Sequence, residues 1–354
     1  MKPLNFTNFL ESGALLRPSP NRWLLLEGPF TEMAEVASGE VALFHPDFFS
    51  EGVDNYWIPK SFYIVTDNDL KSLCADVDRP LLAPLNWQEA DPQSFGVSFI
   101  SILELIHRGA LKKAVPIVFE NSTGIMSSMR VRTLIKELIK APPSLYVFGS
   151  WQKGSGILGA TPEVLLKQEG RILQTMALAG TCPKEEAAER RLLLEDPKER
   201  YEHGLVVQDI SQTLEKYGRV RTEGPKILEL PTLLHLKTEI ECQLPKDQNF
   251  SFFEACRALH PTAALGVSPR DYGYEWLKNL PEQRGRRGFG APWGISWSAE
   301  EALCLVAIRN IQWNPGGCRI GSGCGIVAQS DLHQEWKELS QKRRSVKKVL
   351  GLES

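Results

Sequence analysis

Short apolar runs recur along this chain, and only a few segments between them space their apolar residues as a helix does. Runs rich in β-branched and aromatic residues are typical of strands, whereas apolar residues three and four positions apart are typical of helices. The predicted strands are 23–26, 62–65, 114–119, 146–149, 164–167, 172–177, 303–309 and 318–327, and the predicted helices are 95–106, 185–194, 199–214 and 334–350. Because the strands do not alternate strictly with helices, the pattern favours an α+β fold with largely antiparallel sheets.

Composition excludes several classes of protein. With 42% hydrophobic and 24% charged residues, the chain is neither globally disordered nor a collagen or coiled coil. A formal net charge of −2 leaves no basic excess, so we expect no nucleic-acid partner. No apolar stretch reaches membrane-spanning length, and the N-terminus lacks an apolar signal segment. Seven cysteines without a CxxC pair indicate free thiols. We therefore expect a cytoplasmic protein with no membrane association.

We expect residues 1–354 to form a single domain. Its first part, 1–95, is rich in Trp, Phe and Pro, and the proline-rich stretch 79–93 is interpreted as a connector within that domain. The core that carries the motifs described below spans 95–350. We expect the protein to be a monomer or a homodimer.

Common catalytic motifs are absent from the sequence. It contains no GxxxxGK[ST], GxSxG or HExxH, and its six histidines do not show metal-ligand spacing. The glycines of 321–325 resemble part of a dinucleotide-binding loop, but no helix is predicted behind them. A nucleotide-phosphate loop, a serine hydrolase and a transition-metal site are therefore not expected.

Two pairs of glutamates lie on predicted helices. Glu199 and Glu202 are three residues apart, as are Glu335 and Glu338, so each pair occupies one helical face. Brought together, the pairs would form an all-oxygen site suited to Mg²⁺. For either pair taken alone, a solvated helix face is the better interpretation, and Lys342 follows Glu338 at the spacing of a surface salt bridge.

Charged residues also stand at the ends of apolar strands. Glu163 directly precedes one predicted strand, Lys113 precedes another, and Arg309 ends a third. A charge at a strand end is either a surface charge or a functional group at the rim of a buried pocket. The residues themselves leave both interpretations open.

Eight segments, taken in chain order, together resemble one family, the chorismate-utilising enzymes. This family includes anthranilate synthase large subunits, aminodeoxychorismate synthases, isochorismate synthases and salicylate synthases. The segments are GATPEVLL (159–166), ALAGT (177–181), DPKERYEH (196–203), LLHLKT (233–238), LHPTAALGVSPR (259–270), AIR (307–309), GSGCGIV (321–327) and SDLHQEWKELSQK (330–342). The resemblance implies an α/β/β/α sandwich, in which two antiparallel sheets pack face to face with helices outside and the site lies in the cleft between them.

The resemblance also implies a role for each matching residue. Mg²⁺ would be held by the two glutamate pairs, with Glu202 and Glu338 as the direct ligands, and would meet the ring carboxylate of chorismate. The remaining substrate contacts would come from Arg309, Lys342, Gly180, Thr181, His235, Gly323 and Gly325. Because chorismate is a dianion, four glutamates alone would repel it. The cation, the basic side chains and the backbone donors would make the electrostatic interaction attractive instead.

Within the family, the segments resemble the isochorismate and salicylate synthase branch. Ala179 stands where aminodeoxychorismate synthases carry a lysine that attacks the ring, and LHPT at 259–262 is similar to the isochorismate branch. The strand that brings that branch its lysine resembles the segment at Lys113, with Lys112 as the fallback. The implied reaction is an isomerisation of chorismate to isochorismate for menaquinone or siderophore biosynthesis. Lys113 would be the general base for water attack at C2, and Glu163 the general acid for the leaving C4 hydroxyl.

Alternatives remain open at this point. A salicylate synthase would continue by eliminating pyruvate, an anthranilate synthase-like subunit would need ammonia and a glutamine amidotransferase partner, and a non-catalytic relative would only bind. We expect no amidotransferase subunit. Phe289 and Ala291 depart from the family's YAGxxG-like segment, which removes a tyrosine hydroxyl from the enolpyruvyl site. A hydrogen bond to a charged acceptor is worth about 1.5–3 kcal/mol, so this departure predicts weaker substrate binding.

Overall fold

The computed structural model describes residues 3–50, 55–75, 82–183, 190–229, 233–246, 250–280, 283 and 285–352, with only the backbone described at 181–183, 190–192 and 233. The elements run in chain order as α1 (Phe6–Glu11), β1 (Gly13–Ser19), β2 (Arg22–Glu27), β3 (Thr31–Met33), β4 (Ala42–Phe44), β5 (Tyr56–Ile58), β6 (Ser61–Val65), α2 (Asp67–Leu73), α3 (Pro92–His107), β7 (Lys113–Ala114), β8 (Ile117–Ser122), α4 (Ser128–Leu138), β9 (Tyr146–Gln152), β10 (Ser155–Thr161), β11 (Val164–Glu169), β12 (Ile172–Pro183), α5 (Arg190–Glu195), α6 (Pro197–Leu214), β13 (Arg219–Glu229), β14 (Leu233–Gln243), α7 (Phe252–Leu259), β15 (Val267–Ser268), α8 (Arg270–Asn279), β16 (Pro292–Ser296), β17 (Glu301–Val306), β18 (Asn310–Asn314), β19 (Gly317–Gly323) and α9 (Leu332–Val349).

Two large antiparallel sheets dominate the described part of the chain. Sheet one has the strand order β6-β2-β1-β9-β10-β18-β19-β8, and sheet two the order β13-β14-β12-β11-β17-β16-β4-β5-β3. A small third sheet pairs β15 with β7. The α+β prediction of two antiparallel sheets is confirmed.

The central strands bury apolar side chains on both faces. In β2, Leu24 and Leu26 pack between the two sheets, whereas Trp23 and Leu25 pack beneath helices. Successive side chains of a strand point to opposite faces, so a strand covered on both sides is apolar along its whole length. This is why the strands were visible in the sequence as continuous apolar runs rather than as alternating patterns.

Helices cover the outer face of each sheet. Sheet one packs against α1, α2, α4 and the end of α9, through residues such as Phe9, Leu70 and Leu134. Sheet two packs against α6 and α7, through residues such as Val206 and Cys256. The predicted arrangement of helices outside two facing sheets is therefore confirmed.

The N-terminal part contributes strands to both sheets. Sheet one takes β1, β2 and β6 from it, and sheet two takes β3, β4 and β5. Of the proline-rich stretch, 76–81 lie outside the described residues, and 82–91 form only an isolated bridge from Gln88 to Asn121. The division of the chain into domains stays a prediction. None of the described helices is both long and apolar enough to cross a membrane.

Three predicted strands are broken or end earlier in the structure. The predicted strand 114–119 is broken into β7 and β8, because Pro116 has no N–H to donate to a ladder. The predicted strand 303–309 ends at Val306, and Arg309 has a left-handed backbone with φ of 55°. The predicted strand 318–327 ends at Gly323. The predicted helix 185–194 falls partly on 184–189, which lie outside the described residues, and α5 begins at Arg190.

Candidate active site

A cleft opens where sheet two, α6 and α9 meet the C-terminal end of β19. Its lining includes these residues singled out from the sequence: Glu163, Gly180, Glu199, Glu202, His235, Phe289, Arg309, Gly323, Gly325, Glu338 and Lys342. They come from segments as distant in sequence as 163 and 342, and the fold alone brings them together. Of the other predicted site residues, Lys113 and Glu335 are buried directly behind the cleft. The side chain of Thr181 lies outside the described residues, and its backbone pairs with His235.

The two glutamate-bearing helices begin in the same way. The Asp196 carboxylate caps α6 by accepting a hydrogen bond from the Glu199 N–H, and Pro197 occupies the first turn. The Asp331 carboxylate caps α9 by accepting from the N–H groups of His333 and Gln334. Such caps fix where a helix starts, and acidic residues in a first turn are favoured by the helix dipole. The caps therefore place Glu199 and Glu335 in equivalent first turns, both facing the cleft region.

Lys113 is completely buried and forms an ion pair. Its Nζ lies 2.9 Å from Glu202 Oε1, and its side chain has no exposed surface. Lys112 is exposed, so the structure turns Lys113 rather than its neighbour toward the cleft. A buried charge is tolerated only when it is paired, because the cost of removing it from water is several kcal/mol (order of magnitude). Glu202 supplies that partner.

A second lysine, Lys198, joins carboxylates from both helices. Its Nζ lies 2.9 Å from Glu335 Oε1 and 3.2 Å from Glu199 Oε1. These two acids raise the pKa of Lys198 despite its burial. The sequence analysis did not single out Lys198, because Glu335 is 137 residues away in sequence. Its position directly before Glu199 was the only available signal.

The fourth carboxylate is paired within its own helix. Lys342 Nζ lies 2.5 Å from Glu338 Oε1 and also donates a hydrogen bond of 2.8 Å to the Gly323 carbonyl. Burial lowers the pKa of Lys342, but Glu338 more than offsets this effect and raises it. The salt-bridge interpretation of this pair is confirmed as geometry, although the pair lies at the cleft rather than on an open surface.

Glu163 differs from the other acids in the cleft. It lies in the turn between β10 and β11, where its N–H donates to Thr161 Oγ1 and its carbonyl accepts from the Val306 N–H. Burial raises the pKa of its carboxyl to about 7, although Lys113, Lys342 and Arg309 oppose this rise. Glu163 is therefore a carboxyl group that keeps its proton on about half of the molecules at neutral pH, where an exposed glutamate would be ionised.

Arg309 follows β17 in a locked backbone position. Its carbonyl accepts a hydrogen bond of 3.1 Å from the Ala160 N–H. Burial lowers the pKa of its guanidinium to about 10, against the attraction of Glu338 and Glu163. Arg309 therefore stays charged at neutral pH. Together with Lys342, it gives the cleft the positive groups that a dianionic ligand needs.

His235 is held uncharged opposite these cations. It is buried on β14, and burial together with the charges of Arg309 and Lys342 lowers its pKa well below the usual value. A backbone hydrogen bond at Gly180 opposes this shift. Gly180 is the extra residue where the register of β12 slips between Ala179 and Thr181, and its φ is 82°. Such a bulge needs a glycine, and it turns the backbone of β12 toward the cleft.

Four carboxylates around the cleft meet the chemical requirement for a hard divalent cation. Oxygen ligands suit Mg²⁺, and burial together with the charges of Glu338 and Glu202 raises the pKa of Glu335. A divalent cation would relieve that mutual repulsion. In the described part of the chain, however, no three acidic, histidine or cysteine side chains already converge as a ligand cage. The lysines pair with the carboxylates instead.

Comparison with known proteins agrees with this arrangement. A family model described as "Chorismate binding enzyme" matches residues 66–351. The vibriobactin-specific isochorismate synthase of Vibrio cholerae is 27% identical over 308 residues, which cover 84% of this chain and 76% of that protein. Anthranilate synthase component 1 of Thermococcus kodakarensis is 30% identical over 239 residues, which cover 63% of this chain and 54% of that protein.

Among solved structures, DhbC from Bacillus anthracis superposes with a TM-score of 0.81 at 25% identity, and the match covers 97% of each chain. The similarity therefore extends over the N-terminal strands as well as the motif-bearing core. The family model matches most of the chain, and the matched range includes every site residue named above. The chain belongs to the family of chorismate-binding enzymes.

Proposed function

We propose that this protein is an isochorismate synthase, which converts chorismate into isochorismate with the help of a divalent cation. One observation carries the proposal: Glu163, a carboxyl whose pKa is raised to about 7, lines the same cleft as two cations, Arg309 and Lys342, and a buried amine, Lys113, lies directly behind that cleft. An isomerisation that moves a hydroxyl group needs a proton acceptor, a proton donor and binding groups for two carboxylates. This cleft offers all of them.

The cations and backbone donors would orient the substrate. Arg309 would bind the enolpyruvyl carboxylate, with Lys342 adding positive charge at the same end of the cleft. The backbone N–H groups around Gly323 and Gly325 would hold the second carboxylate. Gly180 and Thr181 would line the ring, because the bulge at Gly180 brings the backbone of β12 close to Glu199.

The carboxylates of α6 and α9 would hold Mg²⁺, with Glu202 and Glu338 as direct ligands and Glu199 and Glu335 behind them. When bound, Mg²⁺ would withdraw electron density through the ring carboxylate and stabilise the charge that develops in the transition state. Glu199, Glu202 and Glu338 line the cleft while Glu335 is 2% exposed, so exposure supports a position behind the cation for Glu335 alone.

The chain's own residues would move two protons. Lys113 would accept a proton from the water that attacks C2, and Glu163 would give its proton to the C4 hydroxyl, which leaves as water. The atoms balance, because one water enters and one leaves. His235 would remain neutral beside the C4 hydroxyl, since its pKa is lowered well below the usual value.

Phe289, which stands where the family usually carries a tyrosine, is accommodated as part of an apolar wall of the pocket. Phe289 is 2% exposed and packs edge-on against Phe119, with ring centroids 5.7 Å apart. Ala291 is also buried. The pocket therefore closes without the tyrosine hydroxyl, and we expect the cost to fall on chorismate affinity rather than on turnover.

The experiment is to incubate the purified protein with chorismate and Mg²⁺, without ammonia, and to resolve the products by chromatography. The proposal expects isochorismate alone. Salicylate together with pyruvate would assign the sister activity. Anthranilate on addition of ammonia would assign the activity of the Thermococcus kodakarensis relative. No product under any of these conditions would leave only chorismate binding, which calorimetry would measure.

A further inference from the structure

Arg286 is a buried cation that the proposed mechanism does not use. It lies between α8 and β16, and it has no exposed surface. Among the described residues no carboxylate forms an ion pair with it, and burial lowers the pKa of its guanidinium to about 9, against the effect of Tyr274. Arg286 therefore keeps its charge at neutral pH. Because a buried charge needs hydrogen bonds in place of the water it has lost, its partners indicate what it holds in position.

The partners of Arg286 are oxygen atoms from two distant segments and from its own turn. Its Nη1 donates a hydrogen bond of 2.8 Å to the Leu265 carbonyl, and its Nη2 donates to the Val115 carbonyl. Nε and Nη2 also donate to Gln283 Oε1, over 3.1 and 2.9 Å. The guanidinium lies 4.2 Å from the centroid of the Phe48 ring, which is a favourable position for a cation. One planar fork therefore joins two backbone segments that are far apart in sequence.

The first of these segments is the interrupted strand that carries Lys113. Strand β7 has only two residues, and Pro116 has no N–H with which to continue the ladder into β8. Side chains supply hydrogen bonds at this break. Gln283 accepts one of 3.1 Å from the Ile117 N–H and donates one of 3.4 Å to the Ile117 carbonyl. The guanidinium does the same for the carbonyl of Val115, two residues after the lysine.

The second segment is a wall of the catalytic cleft. Leu265 lines the cleft, and the next residue, Gly266, accepts a hydrogen bond of 3.0 Å from the Val115 N–H. Strand β15 follows directly and pairs with β7. The strand of Lys113 is thus attached to this wall by a short ladder and by the guanidinium fork. From that strand, the Lys113 side chain reaches Glu202.

We propose that Arg286 is a positioning residue for Lys113, because its guanidinium fixes the strand of the proton acceptor against the wall of the cleft. This rests on the proposed function, in which Lys113 accepts a proton from the attacking water. Arg286 is not among the described residues that line the cleft, so it acts through the backbone of Val115 and not on the substrate. A misplacement of a reacting group by about 1 Å can lower a rate about 10²-fold.

The primary variant is Arg286→Met, whose side chain is long but has no hydrogen-bond donor. We expect kcat per folded protein to fall about 10²-fold, while the KM for chorismate changes less than about threefold, because substrate binding is untouched. Arg286→Lys keeps the charge but lacks the fork, so kcat should fall about tenfold. This second variant provides the answer if Arg286→Met does not fold.

The matched control is Arg17→Met on β1. Arg17 is also buried, and it donates hydrogen bonds of 2.8–2.9 Å to the backbone carbonyls of Ala141, Pro142 and Leu145. None of these residues lines the cleft. We expect Arg17→Met to lower the stability of the protein but to keep kcat and KM, because a purely structural role does not reach the proton acceptor.

A second readout does not depend on turnover. The coupling free energy between Lys113 and Glu202 is measured in denaturant unfolding with Lys113→Met, Glu202→Met and the double variant. We expect this coupling to fall by at least about half in an Arg286→Lys background, and to stay at the parent value in Arg17→Met. If the parent forms no isochorismate, the proposed function fails, and the coupling still decides whether Arg286 positions Lys113. The positioning role is wrong if the coupling is unchanged in Arg286→Lys, if KM rises while kcat is kept, or if Arg17→Met lowers kcat equally.

Discussion

At the scale of single residues, Glu163 acquires its chemistry from burial. Its pKa of about 7 leaves about half of the carboxyl groups protonated at neutral pH, where an exposed glutamate would be ionised. We expect Glu163→Gln to lower kcat by about 10²–10⁴, because the amide cannot donate a proton to the leaving hydroxyl. In the parent protein, kcat should fall as the pH rises through about 7, and in the variant this alkaline decrease should disappear. Initial rates of product formation across pH provide the measurement, and an unchanged profile would refute the assignment.

The same burial makes Glu163 a stability cost at high pH. Because its folded-state pKa is raised from 4.5 to about 7, the folded state binds more protons than the unfolded state between these values. The free energy of unfolding therefore falls through this window, by about 3 kcal/mol in total for this group. Glu163→Gln does not titrate, so its stability relative to the parent should improve by a similar amount between about pH 4 and pH 8. Urea unfolding at both pH values tests this, and a constant difference would contradict it.

Lys113 and Glu202 should behave as one unit. The ion pair is almost completely buried, with the two charged atoms 2.9 Å apart. Removing one partner leaves an uncompensated buried charge, so Lys113→Met and Glu202→Met should each cost about 3–5 kcal/mol of unfolding free energy. The double variant should cost clearly less than the sum of the two single changes. Additive losses in denaturant unfolding would show that the pair is not coupled.

At the scale of elements, the sequence predicted the elements that carry a strong local pattern. The long helices α3, α6 and α9 were predicted to within three residues of their ends, because their apolar spacing is a local pattern. The long hairpin of β13 and β14 was not predicted. Most of β13 is exposed, so it lacks an apolar run. The break between β7 and β8 was missed because Pro116 sits inside an otherwise continuous apolar segment.

The turn after β19 tests how closely backbone and side chains pack at the site. A Cβ added to Gly325 would overlap Glu202 Oε1 and would lie 2.6 Å from Lys113 Cε, whereas one added to Gly204, on the exposed face of α6, would meet nothing within 4 Å. We therefore expect Gly325→Ala to displace the Lys113–Glu202 pair and to abolish most turnover. Gly204→Ala should keep turnover and stabilise α6 by about 0.5–1 kcal/mol. Product assays and thermal unfolding of both variants would decide, and an active Gly325→Ala protein would show that the turn can move.

At the scale of the whole molecule, the site exists only because distant segments meet. The glutamate pairs were visible in the sequence as helical spacing, and their roles came from the family resemblance. Their actual partners were not visible. The joining of Glu199 and Glu335 through Lys198 depends on the first turns of α6 and α9 meeting in the fold, which no local pattern encodes.

The ion pairs formed by the carboxylates of α6 and α9 predict that the binding of Mg²⁺ and the binding of chorismate should favour each other. Three lysines already form ion pairs with the four carboxylates, so Mg²⁺ alone must compete with these pairs, whereas chorismate brings two further negative charges into the cleft. We expect Mg²⁺ and chorismate together to raise Tm more than the sum of their separate effects. A ligand present at about 100 times its Kd adds about 2.7 kcal/mol of stability. Chelation with EDTA should remove the joint shift, and NaCl at equal ionic strength should not reproduce it. Glu338→Gln should abolish the joint shift, while Glu223→Gln on the exposed strand β13 should retain it. If Mg²⁺ alone gave the full rise in Tm, the ion pairs would not restrain metal binding. The predicted dependence of metal binding on substrate binding would then be wrong.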